Sequence, residues 1–270
     1  MGGPDGLAPP VPRGPGTLPY AIDPRTEGIP PVTAIAQVRN RRAALLSAVC
    51  VVALAGCGGG DPDAGTNGVG KLAADKIQSK SVTAASAAGA VRLSGTVVTS
   101  GRTYTLDMRL KSDGGSGSVT SKGSTFGLLR IGEQLYLKAD ADFWNSNGDS
   151  GAGNALHGKY VKVPQGDPSY KKFSGFTDKD VLLSSLLTLH GSLARDGHHA
   201  QHGVRTIRIT GDKGSGGTLD VSLEGKPYPL RLVRAGGAGT LTFSDWGKSF
   251  TVTQPKDDDT VDYGKQLPSS

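Results

Sequence analysis

The 270-residue chain contains only two cysteines, too few for a disulfide scaffold and too few for a structural zinc site built mainly on thiolates. It also lacks any run of about 20 apolar residues, which excludes an ordinary membrane-spanning helix. Charge is scarce as well: 30 Lys and Arg stand against 24 Asp and Glu, a formal +6. That is weak for a nucleic-acid binder, which presents a strong basic patch to phosphates. The apolar residues, at 36%, still lie above the level of disordered chains, because Val, Ile and Leu recur in patterned runs between glycine-rich breaks.

The two cysteines sit in an informative place. Arg39-Asn40-Arg41-Arg42 is followed by the apolar run Ala43 to Ala53 and then by Leu54-Ala55-Gly56-Cys57 and Gly58-Gly59-Gly60. A basic start, an apolar segment too short to span a bilayer and small residues before a break are the three parts of a secretory signal. The Leu-Ala-Gly-Cys box resembles the bacterial lipobox, in which the cysteine thiol receives a diacylglycerol before the preceding peptide bond is cut. Cys50 then leaves with the signal (residues 38–56) and Cys57 becomes the lipidated first residue. The reading against it is an unprocessed apolar helix with an incidental cysteine.

Residues 1–37 hold nine of the sixteen prolines and cannot build a helix or strand. A signal rarely sits behind such a leader, so translation is expected to start at Val38, with a disordered cytoplasmic leader as the alternative. The mature chain is then 57–270, 214 residues with 25 Lys and Arg against 21 Asp and Glu, a formal +4. Residues 57–70 read as a flexible Gly/Asp/Pro/Asn tether reaching roughly 20 Å. The folded body is expected over 71–255, with a C-terminal tail at 256–270.

Within the body, Lys71 to Ala88 is Ala-rich with helical spacing and stops at Gly89. Period-two segments follow at Val91–Val97, Tyr104–Leu110, Ser118–Ser121, Phe126–Ile131 and Leu135–Lys138, separated by short Gly-containing turns, the pattern of an antiparallel meander. After a Gly/Asn loop at 145–158, Tyr160–Pro164 is extended. Thr177-Asp178 starts a second helix with an apolar stripe at Leu182, Leu183, Leu186 and Leu187 that ends before Gly191. A polar His-rich loop leads to five more strands, at 204–210, 218–224, 228–234, 239–243 and 250–253. The sum predicts an α+β fold: one large, strongly curved antiparallel sheet with helices on one face.

The body resembles the actinobacterial LppX/LprAFG-type lipoproteins, relatives in fold of the LolA/LolB lipoprotein carriers. The residues that carry this are Val91-Arg92-Leu93-Ser94-Gly95-Thr96, the stretch Leu128 to Lys138 (LLRIGEQLYLK), Phe143-Trp144, Tyr228-Pro229-Leu230-Arg231-Leu232 and Phe243-Ser244-Asp245-Trp246-Gly247. The resemblance covers about 71–255. It implies a half-open β-barrel whose concave side, covered by helices, holds the acyl chains of a lipid or glycolipid. The loops at 145–158 and 196–203 depart from it.

The residues themselves agree in one respect. A curved sheet facing helices either fills its concavity or leaves a cavity, and small helix residues such as Ala73, Ala84 and Ala88 favour the cavity. Candidate wall residues are Leu93, Val97, Leu106, Met108, Leu110, Leu135, Leu137, Leu182, Leu183, Leu186 and Leu187, with an ordinary solid core as the competing reading.

No enzyme, cofactor or metal is expected. Gly148-Asp149-Ser150-Gly151 matches the nucleophile motif of trypsin-like proteases, whose hydroxyl needs His and Asp upstream. All five histidines, His157, His190, His198, His199 and His202, follow Ser150. Gly211–Thr218 lacks a Gly-Lys-Ser/Thr ending and reads as a hairpin loop. His198, His199 and His202 with Asp196 offer metal donors in a short span, but no second cluster completes a shell. Two functional classes remain: an anchored lipid carrier or chaperone held to the membrane by Cys57, and a tethered structural or interaction domain without lipid. The sequence names no protein partner.

Overall fold

The computed structural model describes residues 61–147, 153 and 156–262. The leader, the signal segment and Cys57 lie outside the described residues, as do the protease-like serine and half of the loop around it.

Alternation builds the sheet. In β2 (Arg102–Lys111), Tyr104, Leu106, Met108 and Leu110 are buried while Thr103, Thr105, Asp107 and Arg109 are exposed, so one face goes to the core and the other to water. Its neighbours β1 (Ala90–Thr99), β3 (Gly114–Ser121), β4 (Ser124–Ile131) and β5 (Gln134–Ala139) complete the expected meander. The tight turn at Ser100-Gly101 has φ of 50° and 69°, the doubly positive pair that matches a two-residue hairpin to strand twist. The later strands are β6 (Tyr160–Val163), β7 (Leu193–Gln201), β8 (Val204–Gly211), β9 (Thr218–Ser222), β10 (Pro229–Val233), β11 (Thr240–Ser244) and β12 (Thr260–Asp262).

All twelve form one open sheet in the order β12-β6-β5-β4-β3-β2-β1-β11-β10-β9-β8-β7. Register carries the core across it. Val161, Leu137, Leu128, Gly117, Met108, Leu93 and Phe243 stand opposite one another on successive strands. The next row runs Ala139, Phe126, Val119, Leu106, Gly95, Leu241, Leu232, Leu219 and Ile209.

Four helices fully within the described residues accompany the sheet: α1 (Ala74–Ser86), α2 (Ala141–Asn147), α3 (Pro168–Thr177) and α4 (Lys179–Leu186). Helix α1 buries Ala74, Ile77, Ser81 and Ala85, a stripe at spacing three and four, and packs against β7, β8, β10 and α4. Helix α3 lies on the buried face of β2 to β4: Phe173 meets Phe126 edge-on at 5.3 Å and Phe176 meets Tyr104 at 5.7 Å. The architecture is an α+β fold with an open twelve-strand sheet, consistent with a half-open barrel.

Several expectations need correction. The sheet is mixed, since β12 pairs with β6 in parallel. The His-rich segment is an edge strand, β7, mostly exposed and polar apart from Leu193, which packs on the core; a bulge between Arg195 and His198 absorbs its irregularity. Residues 250–253 alternate like a strand but form none. They belong to the crossing from β11, at mid-sheet, to β12 beyond β6, and a chain crossing strands finds no parallel backbone to pair with.

The second helix ends at Leu186 rather than before Gly191, and α3 precedes it. The α3 start has an N-cap in Asp167, whose carboxylate accepts from the Ser169 N–H at 2.7 Å, with Pro168 in the first turn. The tail expected at 256–270 contains β12. The tether expected over 57–70 is packed from Asp61 onward, so the folded body begins ahead of Lys71.

Candidate functional site

The packed N-terminal segment creates the site. Asn67 donates its side-chain amide to the carbonyls of Ser222 at 3.0 Å and Gly225 at 3.1 Å, and its backbone N–H to Leu223 O at 2.9 Å. Its own Oδ1 accepts from the Val69 N–H. Arg195 Nη1 reaches Gly70 O at 2.8 Å, and His198 Nε2 lies 3.1 Å from Asp63 Oδ1. Lys71 holds Asp61 at 3.0 Å, and that bond keeps the Asp61 carboxyl below the ordinary carboxylate range, with help from the Asp63 N–H. A stretch with no apolar periodicity is thus fixed by side chains that sequence spacing could not relate to it.

Between this segment, α1 and the turn after β9 opens a groove of about 750 Å³, within the 300–1,000 Å³ typical of ligand sites. Val69, Leu72, Ala84, Ala87 and Pro227 give it apolar walls, and Lys80, Thr83 and Lys226 supply polar groups. The small side chains on this side of α1 leave the space open. No carboxylate lines it, and neither lysine's ammonium group has an ion-pair or hydrogen-bond partner among the described residues.

A second groove of about 430 Å³ lies between the turn after β4 and the α3–α4 junction, lined by Arg130, Glu133, Tyr170, Asp178 and Val181 among others. Here Arg130 is structural. Its Nε and Nη2 donate to Thr177 O at 3.3 and 3.1 Å, Nη1 donates to Gly132 O at 2.9 Å, and the Asp178 carboxylate lies 3.6 Å away.

The eleven candidate wall residues are all brought together, in one buried cluster. Leu93, Met108, Leu110 and Leu135 are fully buried within it. Leu186 also borders a small recess of about 90 Å³ near His190 and Leu232. The large groove is lined by other residues. Of those, sequence reading reached only Ala84, through the smallness of one helix face; Asn67, Lys80 and Lys226 carried no signal beyond their identity.

The histidines do not converge. His198 faces Asp63, His199 Nε2 contacts Asp196 O at 2.9 Å, and His202 sits in the β7–β8 turn with φ of 50°. Among the described residues no group of three or more His, Cys, Asp or Glu could hold a metal ion.

No family model and no curated protein matches the chain. Among solved structures it is similar to LprF from Mycobacterium bovis, with 17% identity over 67% of this chain and 96% of that one and a TM-score of 0.47. It is also similar to the Mycobacterium tuberculosis lipoprotein LppX, with 16% identity over 66% and 99% and a TM-score of 0.41. LprF and LppX are namesakes of the family the sequence resembles. A further neighbour is an uncharacterized conserved protein from Thermus thermophilus, with 13% identity over 70% and 98% and a TM-score of 0.35.

Proposed function

We propose that the chain is an envelope lipoprotein, anchored on the extracytoplasmic face of the cell membrane by acylated Cys57, that binds acyl chains of a lipid or glycolipid as a carrier or chaperone. The observation that carries the reading is Leu54-Ala55-Gly56-Cys57 behind the basic flank Arg39–Arg42 and an apolar run too short to span a bilayer. The folded body then starts within a few residues of that cysteine and opens an apolar groove beside its own N-terminal segment. In this reading the helices close the concave side of a half-barrel, and a chain entering apolar space gains about 0.8 kcal/mol per buried methylene. No step of chemistry is assigned to any residue.

A second reading has a specific observation behind it. Side chains with no accessible surface at the centre of the sheet suit a tethered structural or protein-interaction domain with a filled core. Native mass spectrometry of the protein purified from membranes separates the two. The carrier reading expects a non-covalent lipid of defined mass on the folded chain, released by organic extraction. A chain that carries only its covalent anchor, in every preparation, sinks it.

A further inference from the structure

We infer that the groove between α1 and the turn after β9 takes one acyl chain of an anionic membrane lipid, with Lys80 and Lys226 meeting the charged headgroup. The inference rests on the lipid-binding reading above and adds a place and a charge class to it.

Three features converge. The groove wall is apolar at Val69, Leu72, Ala84 and Pro227, which suits a hydrocarbon chain. Both ammonium groups in its lining are unpaired among the described residues and no carboxylate shares it, although Lys71 and Lys76 nearby each have an aspartate. An amphiphile with a phosphate or carboxylate head complements that arrangement; a neutral glycolipid leaves the two charges without a partner.

The third feature is position. The ion pair with Lys71 holds Asp61 beside the groove residue Leu72. Only three residues separate Asp61 from Cys57, and a chain of that length spans at most about 14 Å. An acylated Cys57 therefore keeps this side of the domain close to the bilayer surface, where anionic headgroups attract each nearby lysine.

The test uses the acylated protein in phosphatidylcholine nanodiscs and two photoactivatable probes, hexadecyl phosphate and hexadecyl glycerol. Hexadecyl phosphate should label α1 and residues 225–227 about tenfold more strongly than the neutral probe. Lys80→Gln with Lys226→Gln should bring the two probes level, and Ala87→Trp, at an exposed position in the groove wall, should suppress both.

Equal labelling in the wild type, or a lysine double variant that behaves like it, overturns the charge assignment. Excess inorganic phosphate that abolishes labelling assigns the lysines to a free anion and overturns it equally. Labelling only at other segments removes the groove and leaves the lipid-binding reading standing. Failure of both probes to label any segment removes both.

Discussion

Arg92 and Asp107 show how one pair on the solvent side of the sheet is set by register. Arg92 stands directly across from Arg109, a like-charge pairing that destabilises a ladder, while Asp107 lies diagonally across from it. The diagonal contact is bidentate, with Arg92 Nε and Nη2 donating to the two carboxylate oxygens at 3.0 and 2.8 Å. The guanidinium holds the Asp107 carboxyl below its ordinary range. A carboxylate lowered in the folded state stabilises above its unfolded value of about 3.9 and loses that contribution as pH falls through the lowered native value. Both side chains are nearly half exposed, so solvent screening limits the effect to less than about 1 kcal/mol. Asp107→Asn is expected to unfold at slightly lower urea near neutral pH and to match the wild type well below the carboxylate range. A gap that persists in acid would trace the effect to packing. Single residues of this kind were not legible beforehand: Arg130 stood inside a recognised stretch, yet its role depends on the Thr177 carbonyl 47 positions away.

Elements were legible where local pattern decides them. The meander follows from alternation and turn chemistry, and α4 from Asp178 followed by a leucine stripe. Helix α3 was missed because PSYKKFSGFT has few apolar residues, and only the cap Asp167 with Pro168 marked its start. Strand β7 was missed for a related reason: an exposed edge strand carries little apolar pattern, and nothing in LARDGHHAQ alternates. Asp178 links two elements. Its carboxylate caps α4 by accepting from the N–H groups of Asp180 and Val181 at 3.1 and 3.0 Å, while facing Arg130 from the α3 junction. Asp178→Ala should cost about 1–2 kcal/mol in urea unfolding, and Asp178→Asn only a fraction of that, because Asn caps as well as Asp. If both variants lose the same amount, the Arg130 ion pair rather than the cap is the stabilising contact.

At the scale of the molecule, a local pattern cannot say which strands become neighbours. The pairing of β1 with β11 closes the two halves of the sheet over a sequence gap of about 150 residues, and the crossing after β11 carries the chain to the far edge, where β12 lies parallel to β6. The candidate wall residues are buried together in one cluster, and buried side chains fill a core as readily as they line a cavity. Among the described residues an open, largely apolar groove lies where a segment expected to be loose is fixed against α1.

Among the described residues no helix is long and apolar enough to cross a membrane; in the proposed function the membrane anchor is Cys57. Two acyl chains suffice for a stable anchor where one does not, and a diacylated Cys57, as proposed, would supply two. The wild type should incorporate an alkynyl palmitate and begin at Cys57, whereas Cys57→Ala should incorporate none and keep the residues before it. A labelled Cys57→Ala chain, or an unlabelled wild type that still carries residues 38–56, would remove the anchor and with it the argument that holds the groove near the bilayer.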